Sequence, residues 1–203
     1  MLRSLDRSHL RVDVTGDGKP DTVAVASDAG AAKPCRGLVA VRTHGTVYSA
    51  HLIPAAVPVK GFRAGIVGLP RLGRHPGVTL VVDTRAMVDA ELAQLFTYSD
   101  GRLRAVRVPG RQDGSFIVEG GGVMFPHAAR CTASGGFVVS EAAQVQHGRR
   151  FQVTRRVYRL DRAGARLSAL AAQEASVPSS QLGRRFPEFA GTHWQSCTEQ
   201  SAH

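Results

Sequence analysis

The sequence predicts an all-β protein made of three antiparallel units followed by a C-terminal extension. Its 22 glycines and 10 prolines are spread along all 203 residues, a distribution that suits many short strands joined by turns. Apolar residues alternate with polar ones or form short runs bounded by turn residues, which is the pattern of β-strands. A plan of strand, polar connection, strand, Gly-containing turn and strand also recurs, starting near residues 21, 77 and 136.

Ten segments carry the strand pattern. Three tight turn signals separate neighbouring segments and therefore predict β-hairpins at His44-Gly45, Asp100-Gly101 and Ala163-Gly164. In chain order the predicted strands are 22–27, 37–43, 46–53, 78–84, 93–99, 102–108, 116–121, 136–142, 150–161 and 165–173.

The recurring plan predicts a repeated supersecondary unit that buries its apolar face against its neighbours. The best internal match aligns residues 16–25, GDGKPDTVAV, with residues 72–81, LGRHPGVTLV. The predicted boundaries are about 10–55, 64–110 and 116–173 for the units, 1–175 for the domain they form and 176–203 for the extension.

Two segments are expected to depart from the strand pattern. Residues 83–96 contain helix formers in the middle, and we interpret them as a long connection with one helical turn. Residues 171–186 are expected to contain a second turn of helix before Pro178. The extension is expected to pack back on the last unit through its aromatic side chains, which are Phe186, Phe189 and Trp194.

Residues 13–21, DVTGDGKPD, have the spacing of a calcium-binding loop. Calcium takes six to eight oxygen ligands, which a short loop supplies from side chains at alternate positions and from a main-chain carbonyl. A glycine in the loop lets the backbone turn sharply. The predicted ligands are the side chains of Asp13, Thr15, Asp17 and Asp21 and the main-chain carbonyl of Lys19, with Gly18 at the turn.

Two positions weaken this predicted metal site. Thr15 offers a hydroxyl where a carboxylate or amide oxygen is expected, and Ala24 stands where a bidentate glutamate would complete the loop. Calcium binding is therefore expected to be weak, with a Kd of about 10⁻⁴–10⁻³ M. The alternative is a metal-free network of Asx turns that holds the loop shut. In both cases the loop is expected to join two strands and to perform no chemistry.

The corresponding loops of the other two units lack these ligands. Residues 69–77, LPRLGRHPG, contain no acidic residue, and residues 129–137 have the sequence ARCTASGGF. Calcium is therefore expected in one unit at most.

Residues 12–27, VDVTGDGKPDTVAVAS, resemble the FG-GAP/VCBS repeat, whose signature is an aspartate-rich G-D-G-x-x-D loop leading into an apolar strand. The resemblance implies propeller-like units, calcium in the loop and an exported or cell-surface protein, and it implies no catalytic role. The periodic plan extends the resemblance weakly to about residue 171. The whole chain looks like small exported actinobacterial proteins that carry one such motif.

The three cysteines, Cys35, Cys131 and Cys197, form no C-x-x-C pair, which excludes a zinc ribbon and a thioredoxin-type motif. Cys131 and Cys197 both lie in turn-rich, polar sequence, and a disulfide between them is preferred over another pairing or none. His127 and His193 stand four residues before these two cysteines. A Cys–His nucleophile or a soft-metal site is therefore the alternative.

The chain is strongly basic, with a formal net charge of +10. All but three of its 26 Lys and Arg residues are arginine, with local pairs at 149–150, 155–156 and 184–185. This predicts either an ordinary solvated surface or a face that binds a polyanion. A nucleic-acid partner is not expected, because aromatic residues that could stack on bases are not interleaved with the arginines.

No run of about 18 apolar residues exists, so no membrane span is predicted. The first 14 residues, MLRSLDRSHLRVDV, contain no apolar core of a signal peptide. Because the resemblance implies an extracellular or envelope location, the signal peptide is expected to have been removed from this sequence.

The leading prediction for function is a non-enzymatic binding or scaffold domain of the cell envelope or exterior, with a structural calcium-type loop. Its expected partner is an acidic polymer or a protein of the envelope. Two alternatives remain open, namely a hydrolase that acts on an envelope polymer and a polyanion-binding module that uses the arginine-rich surface. No pair of carboxylates has a spacing that marks a glycosidase.

Overall fold

The computed structural model describes residues 10–27, 37–53, 64–86, 90–110 and 114–190. Predictions that concern Cys35, Trp194 and Cys197 lie outside these residues. Strands dominate the described chain. Their bounds are β1 Leu10–Val12, β2 Asp21–Ser27, β3 Gly37–Thr43, β4 Thr46–His51, β5 Gly65–Gly68, β6 Leu80–Ala86, β7 Ala90–Ser99, β8 Arg102–Ala105, β9 Ser115–Gly120, β10 His127–Cys131, β11 Phe137–Val145, β12 Arg150–Leu160 and β13 Leu167–Pro178.

The first sheet is a four-stranded antiparallel meander in the order β1-β2-β3-β4. Alternate residues of β3 are buried, so one face of this sheet is turned to the core. The turn between β3 and β4 has positive φ at both central residues, 47° at His44 and 81° at Gly45. This is the geometry of a two-residue hairpin turn, and it confirms the hairpin predicted at these residues.

Strands β5–β8 and β10–β13 form two more four-stranded antiparallel meanders, called the second and third sheets below. Strand β9 joins them, because it pairs with β7 on one side and with β10 on the other. The hydrogen-bonded path from β13 to β5 is therefore continuous, and β8 pairs with the remaining part of β7. The predicted all-β class is confirmed, with three four-stranded antiparallel sheets.

The second sheet lies between the other two and is buried on both faces. Leu80 and Phe96 pack against the first sheet in a cluster that includes Val39. Leu95, which points to the opposite face, packs in a second cluster with Phe137 of the third sheet. Successive side chains of a strand point to opposite faces, so β6 and β7 contribute to both clusters at once.

The outer face of the third sheet is covered by the chain that follows β13. A 3-10 turn at Ser179–Gln181, the short helix α1 at Leu182–Arg185 and a second 3-10 turn at Pro187–Phe189 fold over this face. Phe186 is buried there against side chains of β11, β12 and β13, and Phe189 packs beside it. These are the contacts expected for the two phenylalanines of the extension.

Two stretches predicted to contain helical turns, 83–96 and the part of 171–186 before Pro178, form strands at their described residues. Strand β6 runs to Ala86 and β7 begins at Ala90, so the expected connection over 83–96 is extended on both sides of residues 87–89. Residues 171–178 belong to β13, and α1 begins only after Pro178. In both segments strand pairing outweighs the helix propensity of Ala, Glu, Leu and Gln.

Candidate functional site

The aspartate loop, residues 13–20, connects β1 to β2 in the first sheet. The second loop, residues 69–79, connects β5 to β6, and the third loop, residues 132–136, connects β10 to β11. The three segments aligned from the sequence therefore occupy the same place in their sheets, between the first strand and the second.

Two carboxylates hold the turn of the aspartate loop. The Gly16 amide donates to Asp13 Oδ1 at 2.6 Å, and the Gly18 amide donates to Asp13 Oδ2 at 3.0 Å. The Lys19 amide donates to Asp17 Oδ1 at 2.8 Å. Gly16 and Gly18 have φ values of 80° and 81°, which L side chains rarely adopt. The acids and the glycines thus fix the loop together.

Asp21 closes the loop onto the strand that follows it. Its carboxylate is buried, and Oδ2 accepts hydrogen bonds from the amides of Val14 at 2.9 Å and Thr15 at 3.0 Å. The start of the loop is therefore tied to the first residue of β2. The two amide donors satisfy an oxygen that would be costly to bury without a hydrogen-bond partner.

Two basic side chains lie beside the exposed part of the loop. His44 Nε2 is 3.2 Å from Asp17 Oδ2, and an Arg71 guanidinium nitrogen of the second loop is 4.0 Å from Asp13 Oδ2. The pKa of the Asp17 carboxyl lies below its usual value, chiefly because the Lys19 amide donates to it and also because His44 is close. Asp17 therefore stays ionised wherever the protein is folded near neutral pH.

The predicted calcium ligands do not converge on one point in this arrangement. All three aspartates bind main-chain amides, and the Lys19 residue contributes its amide to that network. No group of three His, Cys, Asp or Glu side chains within the described residues could hold a metal ion. The loop has the arrangement of the metal-free alternative, and calcium binding, with Thr15 as a ligand, stays a prediction.

The aspartate loop also packs directly on the second loop. The Val78 amide donates to the main-chain oxygen of Asp13 at 3.0 Å. Gly77 lies so close to the Val14 carbonyl that an added Cβ would overlap it, and a Cβ on Gly16 would likewise overlap Pro76. The loop therefore joins the first sheet to the second, in addition to joining β1 to β2.

The second loop also contacts the third sheet. The Gly73 amide donates to the Gly135 oxygen of the third loop at 2.8 Å. His75 is buried against Gly164, in the turn between β12 and β13. Thr97 Oγ1 donates to the main-chain oxygen of the same Gly164. The three loops form a continuous line of backbone contacts across the stacked sheets.

Cys131 lies at the end of β10 and is buried in the cluster between the second and third sheets. This apolar setting differs from the polar turn that the sequence suggested, because β10 itself was not predicted. His127 lies at the other end of the same strand. Cys197 lies outside the described residues, so its pairing with Cys131 stays a prediction, and so does the Cys–His alternative.

Glu188 is a buried acid that the sequence did not single out. Its Oε1 accepts hydrogen bonds from Ser140 Oγ at 2.5 Å and from Arg155 Nε at 2.9 Å. These three residues tie the turn after α1 to the outer face of the third sheet. Their separations of 48 and 33 residues along the chain carry no sequence signal.

A cavity of about 430 Å³ lies between residues 108–110 and the inner face of the third sheet. Glu141, Arg156 and Tyr158 are among the residues that line it. The Glu141 carboxylate lies 4.0 Å from the Arg156 guanidinium. This cavity brings a carboxylate, a guanidinium and a phenol to one surface, away from the aspartate loop.

The chain matches no protein-family model, no curated protein and no solved structure. The resemblance of residues 12–27 to the FG-GAP/VCBS repeat therefore stays a prediction, carried by the aspartate loop and β2. Within the described residues, no helix is both long enough and apolar enough to cross a membrane.

Proposed function

We propose that this chain is a non-enzymatic binding or scaffold domain of the cell envelope or exterior, built from propeller-like units of the FG-GAP/VCBS type. The observation that supports it best is the use of the three aspartates. All of them bind amides of their own loop, and the loop that they hold packs on the second loop, so they support the junction of two sheets. In such a scaffold the turns between strands remain accessible for contacts with other molecules.

The aspartate loop acts as a structural staple with at most weak affinity for calcium. The amides of Gly16, Gly18 and Lys19 already occupy part of the acceptor capacity of the Asp13 and Asp17 carboxylates. The weak affinity follows from the ligand set, in which Thr15 replaces a stronger oxygen ligand.

Fractionation of the source cells tests the proposed location, and incubation with their envelope material tests the proposed function. We expect the epitope-tagged protein in the envelope fraction or the medium. We expect the purified protein to sediment with isolated envelope polymer without releasing soluble fragments. Recovery in the cytosol would contradict the location, and release of fragments would favour the hydrolase alternative.

Calorimetric titration with calcium tests the loop separately. We expect a weak heat that saturates only in the millimolar range and is absent from Asp17→Ala. An Asp100→Ala variant is the matched control, since Asp100 is an exposed acid in a different turn. No heat at about 10 mM calcium would show that the loop works without metal.

A further inference from the structure

Exposed apolar side chains gather at one end of the third sheet. Val123, Met124 and Phe125, in the turn between β9 and β10, are 86%, 56% and 53% exposed, and Val145 at the end of β11 is 37% exposed. The described residues contain only two other large apolar side chains with comparable exposure, Val47 and Leu170. Such clustering at a protruding turn is a usual mark of an interaction site.

The turn presents these side chains in a defined position. Gly120, Gly121 and Gly122 all have positive φ, and a Cβ on Gly121 would overlap the Phe125 oxygen. The Gln144 amide donates to the Met124 oxygen at 2.8 Å, and the Ala142 amide donates to the Pro126 oxygen at 2.9 Å. Residues 123–125, called the apolar tip below, are therefore fixed to the end of β11.

Arginines share this end of the sheet. Antiparallel pairing places the start of β10, the end of β11, the start of β12 and the end of β13 side by side. The exposed Arg149 lies in the turn between β11 and β12, and the Ser179 amide donates to its main-chain oxygen at 3.0 Å. Helix α1, which follows Ser179, carries the exposed Arg184 and Arg185.

Residues 121–126, 144–150 and 176–187 form what we call the basic end of the third sheet. These segments contain four arginines and no aspartate or glutamate. The basic end therefore combines a projecting apolar tip with a positive rim. The combination suits the boundary between lipid headgroups and acyl chains, where apolar side chains insert and Arg contacts anionic headgroups.

We infer that the basic end is a docking site for the surface of an anionic lipid bilayer. Val123, Met124 and Phe125 insert between the headgroups, and Arg149, Arg184 and Arg185 contact the lipid phosphates. An acidic polymer alone would use the arginines but would gain little from the apolar tip. The inference goes beyond the proposed function, because it uses residues of the third sheet that are separate from the aspartate loop.

Sedimentation of the purified full chain with vesicles tests the inference. The result does not depend on the proposed location of the protein in the cell. We expect binding to vesicles of phosphatidylcholine and phosphatidylglycerol, and much weaker binding to phosphatidylcholine alone. The V123S/M124S/F125S variant should bind the anionic vesicles at least about tenfold more weakly. The R149Q/R184Q/R185Q variant should lose at least a similar factor.

Two control variants match these changes elsewhere on the surface. V47S/L170S removes exposed apolar side chains outside the basic end, and R102Q/R107Q/R162Q removes three exposed positive charges from other turns and strands. Both controls should bind anionic vesicles almost as the unchanged chain does. Because all substituted side chains are exposed, circular dichroism should show each variant folded.

Several outcomes would overturn the inference. If V123S/M124S/F125S bound the anionic vesicles as well as the unchanged chain, the binding would be adsorption driven by net charge alone. The same conclusion would follow if R149Q/R184Q/R185Q and R102Q/R107Q/R162Q lost binding equally. A dimer that depends on the apolar tip, with no vesicle binding, would assign the basic end to a second copy of this chain. Retention on heparin without any vesicle binding would assign it to an acidic polymer.

Discussion

The backbones of the aspartate loop and the second loop meet at two glycines. Gly77 faces the Val14 carbonyl and Gly16 faces Pro76, and neither site has room for a Cβ. Gly16 also needs its positive φ, whereas the restriction at Gly77 is one of space.

A Gly77→Ala substitution should destabilise the protein by about 2–3 kcal/mol, because the added methyl group forces the two loops apart. The measurement is urea unfolding followed by circular dichroism. Gly65→Ala is the matched control, since nothing lies within 4 Å of its Cβ position and its φ is ordinary. Equal effects of the two substitutions would contradict the close contact at Gly77.

The buried His75 gives a pH-dependent stability. Burial lowers its pKa below the usual value of about 6.5, while the Arg162 main chain and the Asp161 carboxylate act in the opposite direction. Because the folded pKa is the lower one, the unfolded chain binds the proton first as the pH falls. The stability is therefore complete above the unfolded pKa and decreases as the pH falls from there toward the folded pKa.

Chemical unfolding at a series of pH values between about 7.5 and 5 measures this effect. The unfolding free energy of the unchanged protein should fall with pH over that window, and the fall should be smaller in His75→Gln. His51→Gln is the control, because His51 is exposed on the edge strand β4. A slope that is the same in His75→Gln and the unchanged protein would contradict this assignment.

At the scale of elements, the turn after α1 is held to the third sheet by a buried ion pair. Glu188 is fully buried, and Arg155 donates to it from β12. Arg155→Met should destabilise the protein by about 3–4 kcal/mol, because it leaves the carboxylate buried with only Ser140 as a donor. The double variant Arg155→Met/Glu188→Leu should recover part of that loss, since it removes both charges.

Urea unfolding of the two single variants and the double variant gives the coupling energy of the pair. Limited proteolysis of the same variants shows whether residues 179–190 detach from the sheet. Arg156→Met is the matched control, because Arg156 is more exposed and lies 4.0 Å from Glu141. Additive effects of the two single substitutions would show that the pair is not coupled.

The strands that could be predicted are those with an apolar alternation of at least six residues, such as β3. Strand β7 was partly missed because AELAQ favours a helix locally, yet both edges of β7 pair with neighbours. The three-residue β1, the four-residue β5 and the five-residue β10 are too short to show a period. Long-range pairing defines them, and no local pattern could.

In the candidate site, too, local features could be predicted from the sequence and long-range contacts could not. The spacing of Asp13, Asp17 and Asp21 indicated a closed loop, because Asx turns and glycine conformations are local properties. The loop's contact with the second loop and the buried Glu188 depend on residues far apart in sequence. The apolar tip at 123–125 follows the predicted strand 116–121, and its exposure required the structure.

At the scale of the whole molecule, the second sheet connects two apolar clusters. Leu80 belongs to the cluster with the first sheet, and Leu95 belongs to the cluster with the third. Both side chains are fully buried. Leu80 lies in β6 and Leu95 lies in the adjacent strand β7. Loss of packing on one face of the second sheet should therefore also destabilise the packing on its other face. The three sheets are therefore expected to unfold together.

Leu80→Ala and Leu95→Ala test this cooperativity from the two sides of the second sheet. Each should cost about 2–5 kcal/mol through lost burial and the cavity left behind. Each should also shift one common transition in urea, with circular dichroism and hydrogen exchange of all three sheets changing together. Val47→Ala is the exposed control, with an expected cost below about 0.5 kcal/mol. The contrary outcome is that the first sheet of Leu80→Ala unfolds in a separate, earlier transition. The loop contacts at Gly77 and Val78 would then be too weak to couple the sheets, and the proposed structural role of the aspartate loop would be wrong.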